Sequence, residues 1–177
     1  MRAFAAIVTV ALLANSPASL VSDFHAQYLR YPHTGLLSAQ ELERIRPYLS
    51  DRLHGLFANA IRYQQDWMRR NPSPLLKPPL VEGGEWFESL AEWPDVRSLT
   101  GDEPRESFEV VDTVHRAKNV WHVQVRFAYA TEPRVTWVDT FVVNRERGRY
   151  VIDDVIYSGA PFYYRDGRLS ELLRDAR

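Results

Sequence analysis

Two aspartates fall where a strand pattern would place a carboxylate among apolar side chains. Asp139 alternates with Trp137 and Phe141, and Asp112 is in phase with Phe108. A carboxyl group in an apolar pocket is costly to ionise, and such groups often act as general acids or bases. The same pattern fits a buried aspartate that accepts hydrogen bonds from its surroundings. Both residues are therefore candidates for proton transfer, with a purely structural role left open.

Aromatic residues offer a second kind of chemistry, the binding of an apolar molecule. They make up 12% of the chain, and several lie in a proline-rich stretch that no regular helix can span. Rings on a loop beside a sheet can line or cover a ligand pocket, or they can fill the core. The candidate ligand-binding residues are Trp86, Phe87, Trp93, Tyr129, Trp137 and Phe141.

The sequence lacks the residues that several other kinds of functional site require. The chain has no cysteine, which excludes a thiol nucleophile and any disulfide. Its five histidines show no metal-ligand spacing, and His115 and His122 are interpreted as a pair of surface neighbours on adjacent strands. Hydrolase and phosphate-loop motifs are missing, so we expect no metal and no cofactor. A formal net charge of −1 argues against a nucleic-acid partner.

Four stretches of alternating residues predict the strands that would carry the two aspartates. In the second stretch, Val123, Val125 and Phe127 alternate with polar residues, as in a strand with one buried face. The short connections predict an antiparallel meander. Asp153 and Asp154 are adjacent, so a regular strand would turn them to opposite faces. The predicted strands are residues 107–116, 119–130, 135–145 and 149–158.

The first half of the chain has helical spacing. Phe24, Tyr28 and Tyr31 recur at intervals of one helical turn. Residues 38–41 (Ser-Ala-Gln-Glu) match a capping box, which predicts that a helix begins there. Pro47 should kink or restart this helix, because proline has no N–H group to donate. The apolar spacing then continues toward residue 70.

The segment 71–106 separates the helical half from the strands. It is rich in proline but also carries large apolar residues, which a disordered linker would lack. We interpret it as an ordered loop with a short helix near residues 85–92. A final helix is predicted for residues 167–175. Helices followed by a curved antiparallel sheet indicate a single α+β domain over residues 19–177.

The amino terminus is typical of a secretory signal peptide. Arg2 precedes an apolar run over residues 3–14, and small residues follow at Ser16 and Ala18. The run is shorter than the roughly 20 residues that a membrane-spanning helix needs. We therefore predict a signal peptide over residues 1–18, cleaved after Ala18, and a periplasmic or secreted mature protein without a membrane span.

Several segments together resemble a family of exported bacterial domains of unknown function. This family belongs to the nuclear transport factor 2-like superfamily, the cone fold shared with ketosteroid isomerase and polyketide cyclases. The resemblance implies helices packed on a curved sheet, with a pocket between them. It carries over no catalytic residues and no single activity, because this fold hosts enzymes, ligand carriers, immunity proteins and dimerisation modules. Besides the signal, the segments are the Phe24 to Tyr28 helix and residues 36–38, 77–87, 137–139 and 150–155.

Three functions remain open from the sequence. The first is a non-catalytic binding protein that holds a small apolar ligand or an envelope partner. The second is a protein–protein module of the immunity, inhibitor or dimerisation type, including a homodimer through the outer sheet face. The third is an isomerase or dehydratase that uses an inward carboxylate such as Asp139.

Overall fold

The computed structural model describes residues 16–28, 36–73, 86–87, 107–128, 136–158 and 167–175. Over these residues the chain is an α+β protein whose amino-terminal helices precede a four-stranded antiparallel sheet, as the sequence predicts. The helices are α1 (Pro17–Tyr28), α2 (Ala39–Ile45), α3 (Asp51–Arg70) and α4 (Leu169–Asp175). The strands are β1 (Ser107–Ala117), β2 (Val120–Ala128), β3 (Thr136–Glu146) and β4 (Arg149–Ile156). Trp93, Tyr129, Tyr31 and most of the predicted 71–106 loop lie outside the described residues.

Helix α1 begins at Pro17, inside the last residues of the predicted signal peptide. Ser16 precedes it, and its hydroxyl oxygen accepts a hydrogen bond from the Ser19 backbone N–H at 3.1 Å. Proline suits this first position, because its missing N–H would have no partner there anyway. One face of the helix is buried, at Pro17, Leu20, Val21, Phe24, His25 and Tyr28. That spacing of three and four residues packs α1 against the sheet.

Side-chain caps fix where the next two helices begin. The predicted capping box is confirmed: Glu41 N donates to Ser38 Oγ at 3.2 Å, and Ser38 N donates to Glu41 Oε2 at 2.7 Å. Pro47 lies in a 3₁₀ turn that separates α2 from α3, in agreement with the predicted break. The Ser50 hydroxyl then caps α3 by accepting from Leu53 N at 2.9 Å.

The sheet is a meander with strand order β1-β2-β3-β4. The β3–β4 hairpin turns at Arg147 and Gly148, both with positive φ, as a tight right-twisted hairpin requires. Helix α1 packs on the face of the sheet that we call the inner face. This face carries Val123, Val125, Phe127, Trp137 and Phe141, all buried.

Three register shifts interrupt the strand pairing: two in β1, between Val110 and Asp112 and between His115 and Ala117, and one between β3 and β4. In β1, Val110 pairs with Val125 but Asp112 pairs with Gln124, so one extra residue lies between them. In β4, Asp154 pairs with Val142 but Ile152 pairs with Val143. Because the side-chain period of a strand is two, one extra residue moves every following side chain to the other face.

The two edges of the sheet differ. Leu49 forms a parallel bridge with Ile152, and Arg168 forms an antiparallel bridge with Ile156, so chain segments cover part of the β4 edge. In the described part of the chain, β1 pairs with β2 alone. Among the described residues, β1 therefore has one edge without a paired strand.

Candidate functional site

The inner face holds the carboxylate that the sequence singled out. Asp139 is fully buried between Trp137 and Phe141 on β3, opposite Val125 on β2, which confirms its predicted orientation. Its Oδ1 atom accepts a hydrogen bond from the Ser158 backbone N–H at 2.9 Å. One carboxylate oxygen is therefore engaged by the backbone that follows β4, the structural role that the sequence left open.

Asp112 does not share that face, and the predicted alignment with Phe108 is wrong. The β1 bulge places it opposite Gln124, which lies on the outer face because its neighbours Val123 and Val125 lie on the inner face. Asp112 is exposed, and its Oδ1 accepts from the adjacent Thr113 N–H at 2.8 Å. It therefore lies outside the apolar surroundings that the sequence predicted for it.

The same bulge separates the two histidines that were interpreted as surface neighbours. His115 lies opposite Trp121 with ring centroids 5.1 Å apart, whereas His122 lies opposite Val114. They consequently occupy opposite faces of the sheet. Burial and the nearby positive charges of Arg116 and Arg168 lower the pKa of His122, which keeps this ring neutral.

The polar group that the sequence analysis missed is His25 on α1. It is only 2% exposed, and neither ring nitrogen has a hydrogen-bond partner among the described residues. Its ring lies 5.0 Å from Phe108, 5.2 Å from Phe127 and 4.9 Å from Phe141, centroid to centroid. The imidazole ring is thus enclosed by apolar rings from three strands. In α1, His25 directly follows Phe24.

A detectable signal pointed to His25. The buried positions of α1 recur at intervals of three and four, and residue 25 occupies one of them, directly after Phe24. Metal-ligand spacing does not identify His25, because no other histidine lies at such a spacing from it. The informative feature was its place on the apolar stripe of a helix rather than its distance from another histidine.

Burial sets the protonation state of this ring. Desolvation lowers the pKa of His25 from 6.5 to about 3, because no charge or hydrogen bond compensates the imidazolium form. At neutral pH the side chain is an uncharged imidazole with one donor and one acceptor nitrogen. A buried polar group left without a partner costs about 1–3 kcal/mol, and such a group in a folded protein calls for an explanation.

Trp86 and Phe87 are core residues. Both are buried, and the Phe87 ring lies 4.6 Å from that of Phe24 and 5.5 Å from that of Phe57. The Tyr157 hydroxyl donates to the Trp86 carbonyl at 2.8 Å and ties this turn to the end of β4. The two rings therefore fill the space between α1, α3 and the sheet rather than lining an open pocket.

A second polar cluster, with buried Asp154 and exposed Arg52, joins α3, β4 and α4. The Arg52 guanidinium binds the Asp153 carboxylate through two atoms, Nε to Oδ1 and Nη2 to Oδ2, both at 2.9 Å. The Ser50 hydroxyl donates to Asp153 Oδ1 at 2.6 Å. Arg52 Nη2 also lies 3.8 Å from Asp154 Oδ2. The adjacent carboxylates thus approach the same guanidinium, contrary to the divergence that a regular strand predicts, because the β4 bulge lies between Ile152 and Asp154.

Asp154 itself is almost fully satisfied. Its Oδ1 accepts from Ser170 N and Val155 N, both at 3.0 Å, and its Oδ2 accepts from Ser170 Oγ at 2.8 Å. Arg168 Nη1 adds a longer contact of 3.4 Å. This cluster anchors the start of α4 to β4, so its chemistry is accounted for by the fold.

Comparison with protein-family models, with curated proteins and with solved structures gives no match for this chain. In the described residues, no helix is both long and apolar enough to cross a membrane. No group of three or more histidine, aspartate or glutamate side chains in these residues is placed to share a metal ion.

Proposed function

We propose that this protein is an exported, non-catalytic binding protein that holds a small, mainly apolar molecule between α1 and the inner face of the sheet. His25 is the polar anchor for that molecule. The observation that carries the proposal is that, among the described residues, neither ring nitrogen of His25 has a hydrogen-bond partner, although the side chain is only 2% exposed.

His25 is a polar residue at a position whose surroundings suit an apolar one. Phe108, Phe127 and Phe141 form surroundings in which an apolar side chain would need no hydrogen bond. With no partner among the described residues, the imidazole of His25 leaves one donor and one acceptor unpaired. This destabilises the protein when no ligand is bound. A ligand with a hydroxyl or carbonyl group would pair with one of these nitrogens and recover that free energy. Apolar pockets with a few placed polar groups are typical of small-molecule sites.

Binding is favoured over proton transfer by the acid–base properties of the site. A ring whose pKa is lowered to about 3 is a weak base at neutral pH, and it carries no proton to give as an imidazolium acid. Asp139, also on the inner face, accepts a hydrogen bond from the Ser158 backbone N–H. The enzyme hypothesis therefore has the weaker support of the two.

Access to His25 requires that a neighbouring ring moves, because the side chain is buried. The turn at Trp86 and Phe87 contacts the same aromatic cluster, and the Tyr157 hydroxyl donates a hydrogen bond to its Trp86 carbonyl. We propose that the ligand enters where Phe87 now packs against Phe24.

The compartment and the family belong to the same proposal. The amino-terminal signal pattern supports export, with cleavage after Ala18 leaving Ser19 as the first residue of a shortened α1. The order of helices and then a four-stranded meander supports membership of the nuclear transport factor 2-like superfamily.

Native mass spectrometry of the protein recovered from the bacterial periplasm tests this proposal. The full chain, the variant His25→Phe and the control His122→Phe on the outer face would be compared. We expect extra mass that leaves on denaturation in the wild type and in the control, and none in His25→Phe. A wild type without extra mass, or equal ligand in all three proteins, would overturn the anchor role. A chain that starts at Met1 would contradict export.

A further inference from the structure

Basic residues are concentrated at the end of the sheet where β1 turns into β2 and β3 turns into β4, which we call the hairpin end. Residues 115–119 (His-Arg-Ala-Lys-Asn) and 145–149 (Arg-Glu-Arg-Gly-Arg) contain five arginines or lysines and one glutamate. The whole chain has a formal net charge of only −1, so this end is locally positive. The five basic residues, all exposed except the half-buried Arg149, are Arg116, Lys118, Arg145, Arg147 and Arg149.

The two turns of the hairpin end lie side by side. Each turn has two residues, 118–119 between β1 and β2 and 147–148 between β3 and β4. The Arg145 backbone N–H donates to the Asn119 carbonyl at 3.0 Å, which joins the two hairpins at this point. The hairpin end therefore presents two short adjacent turns rather than a long loop.

Two of the five cations have an acidic neighbour. Arg147 Nη2 lies 3.0 Å from Asp51 Oδ2 at the start of α3, and Arg149 lies opposite Glu146 in the strand pairing. Among the described residues, the cations with neither an ion-paired nor an opposing carboxylate are Arg116, Lys118 and Arg145. Like charges held close together repel each other, so an anionic partner would stabilise this end of the molecule.

A row of aromatic contacts holds Arg145 in place. Its guanidinium carbon lies 5.7 Å from the centroid of the Tyr150 ring. The Tyr150 ring lies 5.2 Å from that of Trp121, which in turn lies 5.1 Å from that of His115. These rings are engaged with one another and with a cation, which leaves less ring surface on which nucleic-acid bases could stack. The hairpin end therefore favours a partner that needs the positive charges alone.

From these charges and their arrangement we propose that the hairpin end binds the surface of an anionic lipid bilayer. Acidic headgroups attract basic residues that lie near a membrane, and several neighbouring cations add their contributions. Two short turns side by side suit a flat, extended partner, whereas a compact ligand is held in a concave site. This peripheral contact does not involve His25, so it stands or fails independently of the ligand proposed there.

Vesicle co-sedimentation of the purified protein provides the test. Vesicles with about 30% phosphatidylglycerol in phosphatidylcholine would be compared with vesicles of phosphatidylcholine alone, which report any binding by the apolar amino terminus. We expect binding that requires the anionic lipid and disappears at about 1 M salt, where charges are screened within a few ångströms. The double variant Arg116→Glu/Lys118→Glu changes two exposed residues and should bind at least about tenfold more weakly.

A matched control makes the same change in net charge at the other end of α3. Arg69 and Arg70 are exposed, and α3 extends over 20 residues from Asp51, which corresponds to about 30 Å. Arg69→Glu/Arg70→Glu should therefore bind anionic vesicles like the wild type. A wild type that does not bind them, or equal binding of Arg116→Glu/Lys118→Glu, would overturn the proposal. So would tighter binding to a single-stranded oligonucleotide or to polyglutamate than to vesicles of equal charge.

Discussion

His25 and Asp154 are both buried polar side chains, with 2% and 4% of their surfaces exposed, yet their surroundings are opposite. Asp154 accepts from Ser170 N, Ser170 Oγ and Val155 N, and Arg168 stands nearby. His25 has aromatic rings on its sides and no hydrogen-bond partner in the described chain. Burial alone therefore does not identify a functional residue, and the presence or absence of partners separates the two cases.

The difference also assigns different roles to the two regions. The cluster of Arg52, Asp153 and Asp154 connects α3, β4 and α4, and its polar atoms find their partners within the fold. Around His25, by contrast, the described part of the chain supplies no hydrogen-bond partner for either ring nitrogen. A group of the second kind is the better candidate for contact with a molecule that the chain itself does not supply.

The largest expected effect is the loss of stability in acid caused by His25. The folded-state pKa is lowered to about 3 from 6.5, so the unfolded chain binds more protons between these values. The contribution of neutral His25 to the free energy of unfolding is fully present above pH 6.5. It is lost as the pH falls toward 3, by up to about 5 kcal/mol. Urea unfolding of the wild type and of His25→Phe across this window would measure it.

His25→Phe should show a flatter pH profile, because both proteins share every other titrating group. His122→Phe serves as the control and should keep most of the wild-type profile, since His122 lies on the outer face opposite Val114. Parallel profiles for wild type and His25→Phe would show that residue 25 is not a buried neutral imidazole.

The next largest change in stability is expected in the cluster of Arg52, Asp153 and Asp154. Asp154→Ala removes one carboxylate and leaves the Ser170 N–H and hydroxyl without their acceptor, next to two arginines. We expect a loss of about 3 kcal/mol in the free energy of unfolding at neutral pH. The exposed Asp112→Ala, measured by the same urea titration, should change stability by less than about 0.5 kcal/mol. Equal effects of the two substitutions would refute the structural role assigned to Asp154.

The smallest effect is expected at His25 itself under neutral conditions. His25→Phe or His25→Leu removes two unpartnered nitrogens from an apolar site, so at least one of them should match the wild type or gain about 1 kcal/mol. Phe24→Ala, one residue earlier on the same buried stripe, should instead lose about 3–5 kcal/mol. If both His25 variants lost as much as Phe24→Ala, the ring would have a structural partner and the contrast with Asp154 would disappear.

Much of the fold could be predicted from the sequence, because its signals are local. The capping box at Ser38, the break at Pro47 and the alternation of Val123, Val125 and Phe127 each depend on nearby residues. The short hairpin connections then fixed the antiparallel order of the strands.

The candidate site was less predictable, because single-residue irregularities decide it. Asp112 follows a bulge that turns it outward, while Asp139 lies on an uninterrupted stretch and points inward as expected. No local pattern announces the extra residue in β1, since valine suits both positions 110 and 111. The enclosure of His25 depends on Phe108 and Phe141, which are far away in the sequence.

The most direct test of the account is the ¹⁵N NMR signal of the His25 ring nitrogens in the folded protein, followed from neutral pH into acid. We predict a neutral imidazole that stays unprotonated well below pH 6.5 and whose signal shifts when a bound molecule is removed or restored. A ring that titrates near 6.5, or that keeps the same signal with and without bound molecule, would contradict the claim that His25 is an unpartnered anchor.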